Sequence, residues 1–201
     1  AIVAKRFLSI TNPEFGVIRY SIKLLNSKAM VKVIPYLDGD VINEDSNYNE
    51  KFWDEVDKGF FPNGGYVVTS TKKLDFHVGH AMSCELQLNG KILGNPPISF
   101  EKDKFISCEY TCDIESNDEL VIYKYVAVLS SLNYDKELIS KELPKKVEYA
   151  HSKGYDLLFK QHIEGWADIW LHSDITIEGD VAAQQGIRFN IFQLSQTYTG
   201  K

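Results

Sequence analysis

A change of hydrophobic period near Asn133 limits what this chain can fold into. Upstream of it, short runs alternate apolar and polar residues and are separated by turn chemistry, the signature of half-buried strands. Ile18, Tyr20, Ile22 and Leu24 share one face of a strand, and Asn26-Ser27 is expected to turn it back as a hairpin toward a run holding Val31 and Val33. Phe76, Val78, His80, Met82, Cys84, Leu86 and Leu88 line one face of a longer strand. It ends at Asn89-Gly90, a pair that favours the positive φ angles of a type I′ turn. Ile106, Cys108, Tyr110, Cys112 and Ile114 repeat the pattern before the turn Glu115-Ser116-Asn117-Asp118. Leu120 to Leu132 is apolar on both faces, as a central strand covered twice would be. Two stacked sheets bury all of these faces, which predicts an antiparallel β-sandwich over residues 1–133.

Downstream the period becomes 3.6. Pro144 suits an early helical position, and Leu158, His162, Trp166 and Trp170 follow at i, i+4 spacing on one stripe. A break at Ser173 to Gly179 leads to a last helix with Asp180 as its N-cap. Its stripe is Ala183, Ile187, Ile191, Leu194 and Tyr198, with Phe189 and Phe192 off it, so much of its circumference is apolar. Such a helix needs neighbours on several sides, more than this chain supplies. The fold expected is mainly β, a sandwich with a C-terminal α-helical extension.

The 201 residues, 44% hydrophobic and 25% charged, suit a globular chain with a real core and exclude disordered and collagen-like classes. Lys and Arg number 22 against 28 Asp and Glu, a net charge of -6 that disfavours a nucleic-acid partner. No run approaches the roughly 18 apolar residues of a membrane span. Cys84, Cys108 and Cys112 form no even framework, and no Asn-x-Ser/Thr acceptor occurs, so a cytoplasmic location is expected. The chain starts without Met inside strand alternation and stops at Gly200-Lys201 after a helical pattern, which reads as a fragment of a longer protein.

Candidate chemistry is sparse. Asp38, Asp40, Asn43, Glu44, Asp45, Asn47 and Asn49 are dense in oxygen ligands. A calcium loop starting at Asp45 would need Gly where Glu50 stands and a bidentate Glu where Val56 stands, so no metal is expected. Cys108 and Cys112 share a strand face and read as buried small hydrophobes rather than zinc ligands. His77 and His80 lie on opposite strand faces, and His80 on its apolar face reads as a core residue. Gly64-Gly65 after Pro62-Asn63 is a turn signal, and Trp53, Trp166 and Trp170 read as core or interface residues before sugar platforms. With no nucleophile elbow, phosphate-cradling loop or H-E-x-x-H, no catalytic residue is assigned and any substrate-binding residue is unknown.

Two stretches go beyond pattern. Asp38-Gly39-Asp40-Val41-Ile42-Asn43-Glu44-Asp45-Ser46-Asn47-Tyr48-Asn49-Glu50-Lys51-Phe52-Trp53 closely resembles a signature of the maltose phosphorylase family, which includes trehalose and kojibiose phosphorylases and is classed with glycoside hydrolases. Lys5-Arg6-Phe7-Leu8-Ser9 and Gly16 to Ile22 resemble the same family, as do Trp166 to Trp170, Ser173-Asp174-Ile175, Glu178-Gly179-Asp180 and Gln184 to Leu194. Asn49 departs from the family, many of whose members have Asp there.

The resemblance implies a large N-terminal super-sandwich, a helical linker, an (α/α)6 catalytic barrel and a small β domain. On that map residues 1–133 are an incomplete sandwich, 134–173 the linker and 174–201 the start of the barrel. It implies carbohydrate metabolism by an inverting glycosyltransferase-type phosphorylase that uses no cofactor and takes inorganic phosphate as its co-substrate. One Glu protonates the glycosidic oxygen while phosphate attacks the anomeric carbon from the opposite face, giving β-glucose 1-phosphate and glucose. Both the Glu and the phosphate pocket fall in the barrel beyond Lys201, so this chain is expected to be inert alone. A glucosyl disaccharide, phosphate and a second copy in a homodimer are the implied partners of the intact enzyme. The rival readings are a carbohydrate-binding β-sandwich module without catalysis and a fragment of a trehalose hydrolase of the same family.

Overall fold

The computed structural model describes residues 1–42, 44, 48 and 50–197. Among the described residues eleven strands come first: β1 Ile2–Leu8, β2 Phe15–Lys23, β3 Ala29–Val33, β4 Tyr36–Asp38, β5 Trp53–Phe61 and β6 Gly64–Thr71. They continue as β7 His77–Leu88, β8 Lys91–Ile92, β9 Ile98–Lys102, β10 Phe105–Ile114 and β11 Glu119–Ser130. Two helices follow, α1 Lys136–Ser173 and α2 Val181–Thr197. The large antiparallel sheet runs β1-β2-β11-β7-β6-β5 with β8 beside β7. The small sheet runs β3-β10-β4 with β9 on β10. The expected sandwich with a helical C-terminal part is borne out.

The double apolar pattern of β11 has a direct cause. It is held between β2 and β7, and its alternate residues serve two cores. Leu120 and Ile122 join Met82, Cys84, Leu86, Ile106 and Cys108 between the sheets. Tyr125, Ala127 and Leu129 meet Ile139, Leu143, Val147, Ala150 and Leu158 of α1 on the opposite side. The helix is therefore a third layer, and burying each large side chain of its stripe contributes about 1.5–3 kcal/mol. The turn expected at Asn89-Gly90 is present, with φ of 50° and 77°.

Two local expectations are corrected. Asn26-Ser27 closes no hairpin, because β2 pairs with β1 and β11 whereas β3 pairs with β10. The chain instead crosses from the large sheet to the small one, and Ile22, Leu24, Val31 and Val33 all pack on the same inter-sheet core. Alternation reveals which residues are buried, not which sheet they belong to. Pro144 is not early in its helix either, since α1 begins at Lys136. Burial of Ile139 and Leu143 against the sheet extends the helix N-terminally, and Pro144 deprives the Ser140 carbonyl of its usual N–H partner. The actual break comes at Gly154, whose φ of 74° and ψ of 161° turn the second half of α1 onto a new course.

Candidate functional site

Among the described residues of the acidic loop, Asp40 is paired with two lysines. Asp40 accepts from Lys51 and lies 3.2 Å from Lys104 Nζ. Hydrogen bonds from those two lysines hold its carboxyl below the usual carboxylate range. Asn43, Asp45, Asn47 and Asn49 lie outside the described residues, as do Tyr198 and Gly200-Lys201. No group of three or more His, Cys, Asp or Glu side chains is gathered for a metal among those described. No described helix is long and apolar enough to cross a membrane.

The other residues singled out by sequence are packing groups. Cys84 and Cys108 are buried between the sheets and Cys112 packs against the same cluster, all as free thiols. His80 is mostly buried, and that desolvation, with Lys124 nearby, pushes its imidazole below the usual histidine range. His77 faces the other way, its Nε2 2.8 Å from Asp75 Oδ1. Trp53 opens β5, half-buried. The turn between β5 and β6 is made by Pro62-Asn63, and the two glycines serve close packing instead: a Cβ on Gly64 would stand 1.9 Å from the Met82 carbonyl oxygen.

A concavity of about 770 Å³ opens between the β1–β2 end of the large sheet, the second half of α1 and α2. Phe7 stands in it with its ring 4.9 Å from His162 and 5.5 Å from Phe159. The Ile10 amide donates to His162 Nδ1 at 3.3 Å, and partial burial lowers that imidazole's pKa. Trp166 stacks on Phe192 of α2 at 5.1 Å and on Trp170 at 6.2 Å. The helical stripe read from sequence is thus real, but its contact on α2 is Phe192, which sequence placed off the stripe. Arg6 and Gln196 are polar groups at its margin. An apolar cleft of this kind can hold a ring or a neighbouring side chain, and its lining includes no carboxylate to serve as a general acid.

One constellation escaped the sequence. Ser83 Oγ lies 2.7 Å from His151 Nδ1, and His151 Nε2 lies 3.4 Å from Glu85 Oε2. Hydroxyl, imidazole and carboxylate are arranged as in a nucleophile relay. Ser83 is only 3% exposed, however, closed between β7 and α1, and Tyr125 stacks on the imidazole at 4.9 Å. No substrate carbonyl can approach it, so its role is to fasten the helix. Ser83 and Glu85 share a strand face, which was legible, but His151 lies 66 residues beyond Glu85 and no local spacing connects them.

The described residues thus form a three-layer domain, two antiparallel sheets and a covering helix. The family model described as glycosyl hydrolase family 65, N-terminal domain, matches residues 1–169, and the chain belongs to that family. It is 33% identical over 199 residues to a maltose phosphorylase of Bacillus subtilis (strain 168), covering 98% of this chain and 26% of that protein. It is 26% identical over 201 residues to an alpha,alpha-trehalose phosphorylase of Thermoanaerobacter brockii, covering 96% of this chain and 26% of the relative. A human-microbiome protein assigned as a kojibiose phosphorylase has the same fold, with a TM-score of 0.84 at 21% identity over 97% of this chain and 25% of that one. The chain spans about a quarter of the length of the curated relatives it matches.

Proposed function

We propose that this chain is the non-catalytic N-terminal portion of a cytoplasmic, inverting disaccharide phosphorylase of the maltose phosphorylase type. In the intact enzyme an α-glucosidic bond is cleaved by phosphate to β-glucose 1-phosphate and glucose. The observation that carries this reading is the extent of the likeness. Similarity to the Bacillus maltose phosphorylase runs through 98% of the chain, including α2, although the N-terminal domain match stops at residue 169.

α2 therefore lies beyond the matched domain, and it buries none of its residues: Val181 is 85% exposed, Leu194 59% and Phe189 57%. Leaving large apolar side chains in water forfeits about 1.5–3 kcal/mol each. This supports reading residues 174–201 as the first helix of a helical catalytic unit, with 134–173 both a connection to it and the cover of the large sheet. The general acid and the phosphate site belong to that unit. The test is to express the protein encoded by the complete reading frame and assay it with phosphate on maltose, trehalose, kojibiose and nigerose. Phosphate-dependent formation of β-glucose 1-phosphate, with maltose the preferred substrate, supports the reading. Phosphate-independent hydrolysis of trehalose would replace it with the hydrolase, and binding without turnover with the carbohydrate-binding module.

A further inference from the structure

The second half of α1 is fastened to the connection between β1 and β2 through His162. That connection is closed on itself: the Ser9 amide donates to the Phe15 carbonyl at 2.9 Å, the Phe15 amide to the Asn12 carbonyl at 2.9 Å and the Asn12 amide to Ser9 Oγ at 3.1 Å. The Ile10 amide instead leaves the turn and donates to His162 Nδ1 at 3.3 Å. A ring nitrogen that accepts carries no hydrogen, so the neutral imidazole keeps its proton on Nε2. Helix and turn approach closely here, since a Cβ on Gly165 would stand 2.7 Å from Thr11 Cγ2 and 2.8 Å from Ile10 Cγ2. The imidazole also lies 4.9 Å from the Phe7 ring and 6.4 Å from that of Trp166, in largely apolar company. Among the described residues no carboxylate pairs with it. Arg6 of β1 lines the same concavity, to which β2 and β11 bring Val17, Ile18 and Val126, and α2 brings the neutral Phe192 and Gln196. Glu14 of the connection is bound to Tyr134 and Lys146, and on α1 itself Lys160 and Glu164 face each other at 3.8 Å, both exposed.

We propose that His162 is a proton-operated latch, which holds the second half of α1 on the β1–β2 connection while its ring is neutral and releases it when Nδ1 takes up a proton. Protonation turns the acceptor into a donor pointed at another donor, the Ile10 N–H, and sets a cation in an apolar seat beside Arg6. Partial burial holds the imidazole below the usual histidine range. The folded chain therefore binds this proton less readily than the unfolded one. The latch contributes fully above the ordinary value of about 6.5, and its contribution is lost as pH falls through the lower folded value. The second half of α1 runs on toward α2, so the latch governs the direction in which the chain leaves the sandwich. That this direction seats a catalytic unit rests on the reading proposed above, whereas the latch is read on the 201-residue chain without any turnover.

Nitrogen NMR of the imidazoles and amide hydrogen exchange test this between about pH 8 and about pH 5, the span over which histidine titrates. Far-UV circular dichroism confirms that each variant folds. At the upper end His162 is expected as the Nε2–H tautomer with a protected Ile10 amide. At the lower end, after correction for the intrinsic rate, Ile10 and the second half of α1 are expected to exchange about tenfold faster or more, while β7 and β11 keep their protection. His162→Asn removes the titrating ring, and its Ile10 exchange is expected not to change with pH beyond the intrinsic rate. His162→Phe keeps a ring against Phe7 but offers no acceptor, and its Ile10 amide is expected to exchange fast at both ends. An Nδ1–H tautomer at the upper end overturns the proposal, as does Ile10 protection that is independent of pH in the starting chain. So does the same pH response in His162→Asn, which titration of the buried His80 would produce, or an Ile10 amide still protected in His162→Phe.

Discussion

Ser83 Oγ and His151 Nδ1 are 2.7 Å apart, and this single bond joins the middle of β7 to the first half of α1. It is a buried polar contact in an otherwise apolar seam, where Ala81, Ala127 and Val147 are also closed to water. Deleting the hydroxyl leaves the imidazole short of a partner at the seam, a loss of about 1–3 kcal/mol. Ser83→Ala is therefore expected to lower the unfolding free energy by that much, read as a lower urea midpoint at an unchanged m-value. His151→Phe, which keeps the stack on Tyr125 but strands the hydroxyl, is expected to fall in the same range.

The same seam is set by a glycine. A Cβ on Gly79 would lie 2.5 Å from Leu143 Cδ1 and 2.6 Å from Ile139 Cγ2. Gly79→Ala must push α1 off β7 or force those side chains from their rotamers, at about 1–3 kcal/mol. Leu143→Ala, which opens a cavity on the other side of the contact, is expected to cost about 2–5 kcal/mol. The double variant tests the link: the smaller side chain at 143 makes room for the methyl, so denaturation should show less than the sum of the two losses.

The sandwich was legible because its strands obey a period of two: Met82, Cys84, Leu86 and Leu88 of β7 and Ile106, Cys108, Tyr110, Cys112 and Ile114 of β10 lie on the inter-sheet core as alternation assigns them, whereas Phe76, Val78 and His80 of the same predicted face are not part of that cluster. The small-sheet membership of β3 was not, because Val31 and Val33 would look the same on either sheet. The docking of α1 escaped for a different reason. Ile139, Leu143, Val147 and Ala150 lie at helical spacing ahead of the stripe that sequence did pick out, but Pro144 in their midst argued against a helix running through them. The seam that recruits them is made of strands far off in the chain.

Thiol chemistry follows from the core. Desolvation raises the Cys84 thiol to about 12 and the Cys108 thiol to about 11, against an ordinary 9.0. A disulfide-exchange reagent at pH 8 is expected to leave both untouched in the folded chain, to label the less buried Cys112 first, and to reach all three in denaturant. Because the folded thiols keep protons that the unfolded chain releases, their contribution to stability is intact below about pH 9 and is lost as pH rises toward 12. A urea midpoint that falls across that window, and falls less in Cys84→Ala, is the expected reading.

Asp180 Oδ1 accepts the Ala183 amide at 2.9 Å, the N-cap anticipated from sequence. Its loss in Asp180→Ala is expected to cost about 0.5–2 kcal/mol of helix stability. Since α2 buries none of its residues, the effect should stay local. Amide exchange should quicken along α2 while the sheets keep their protection, and a protected α2 in the variant would mean that packing, not the cap, holds this helix.

The central claim is that this chain carries none of the bond-breaking groups of the phosphorylases it resembles. The direct measurement is glucose 1-phosphate released from maltose and phosphate by the purified 201-residue protein, with the product of the complete reading frame assayed beside it. The account predicts no release above the uncatalysed background from the chain alone and phosphate-dependent release from the longer protein. Turnover by the 201 residues themselves would contradict it.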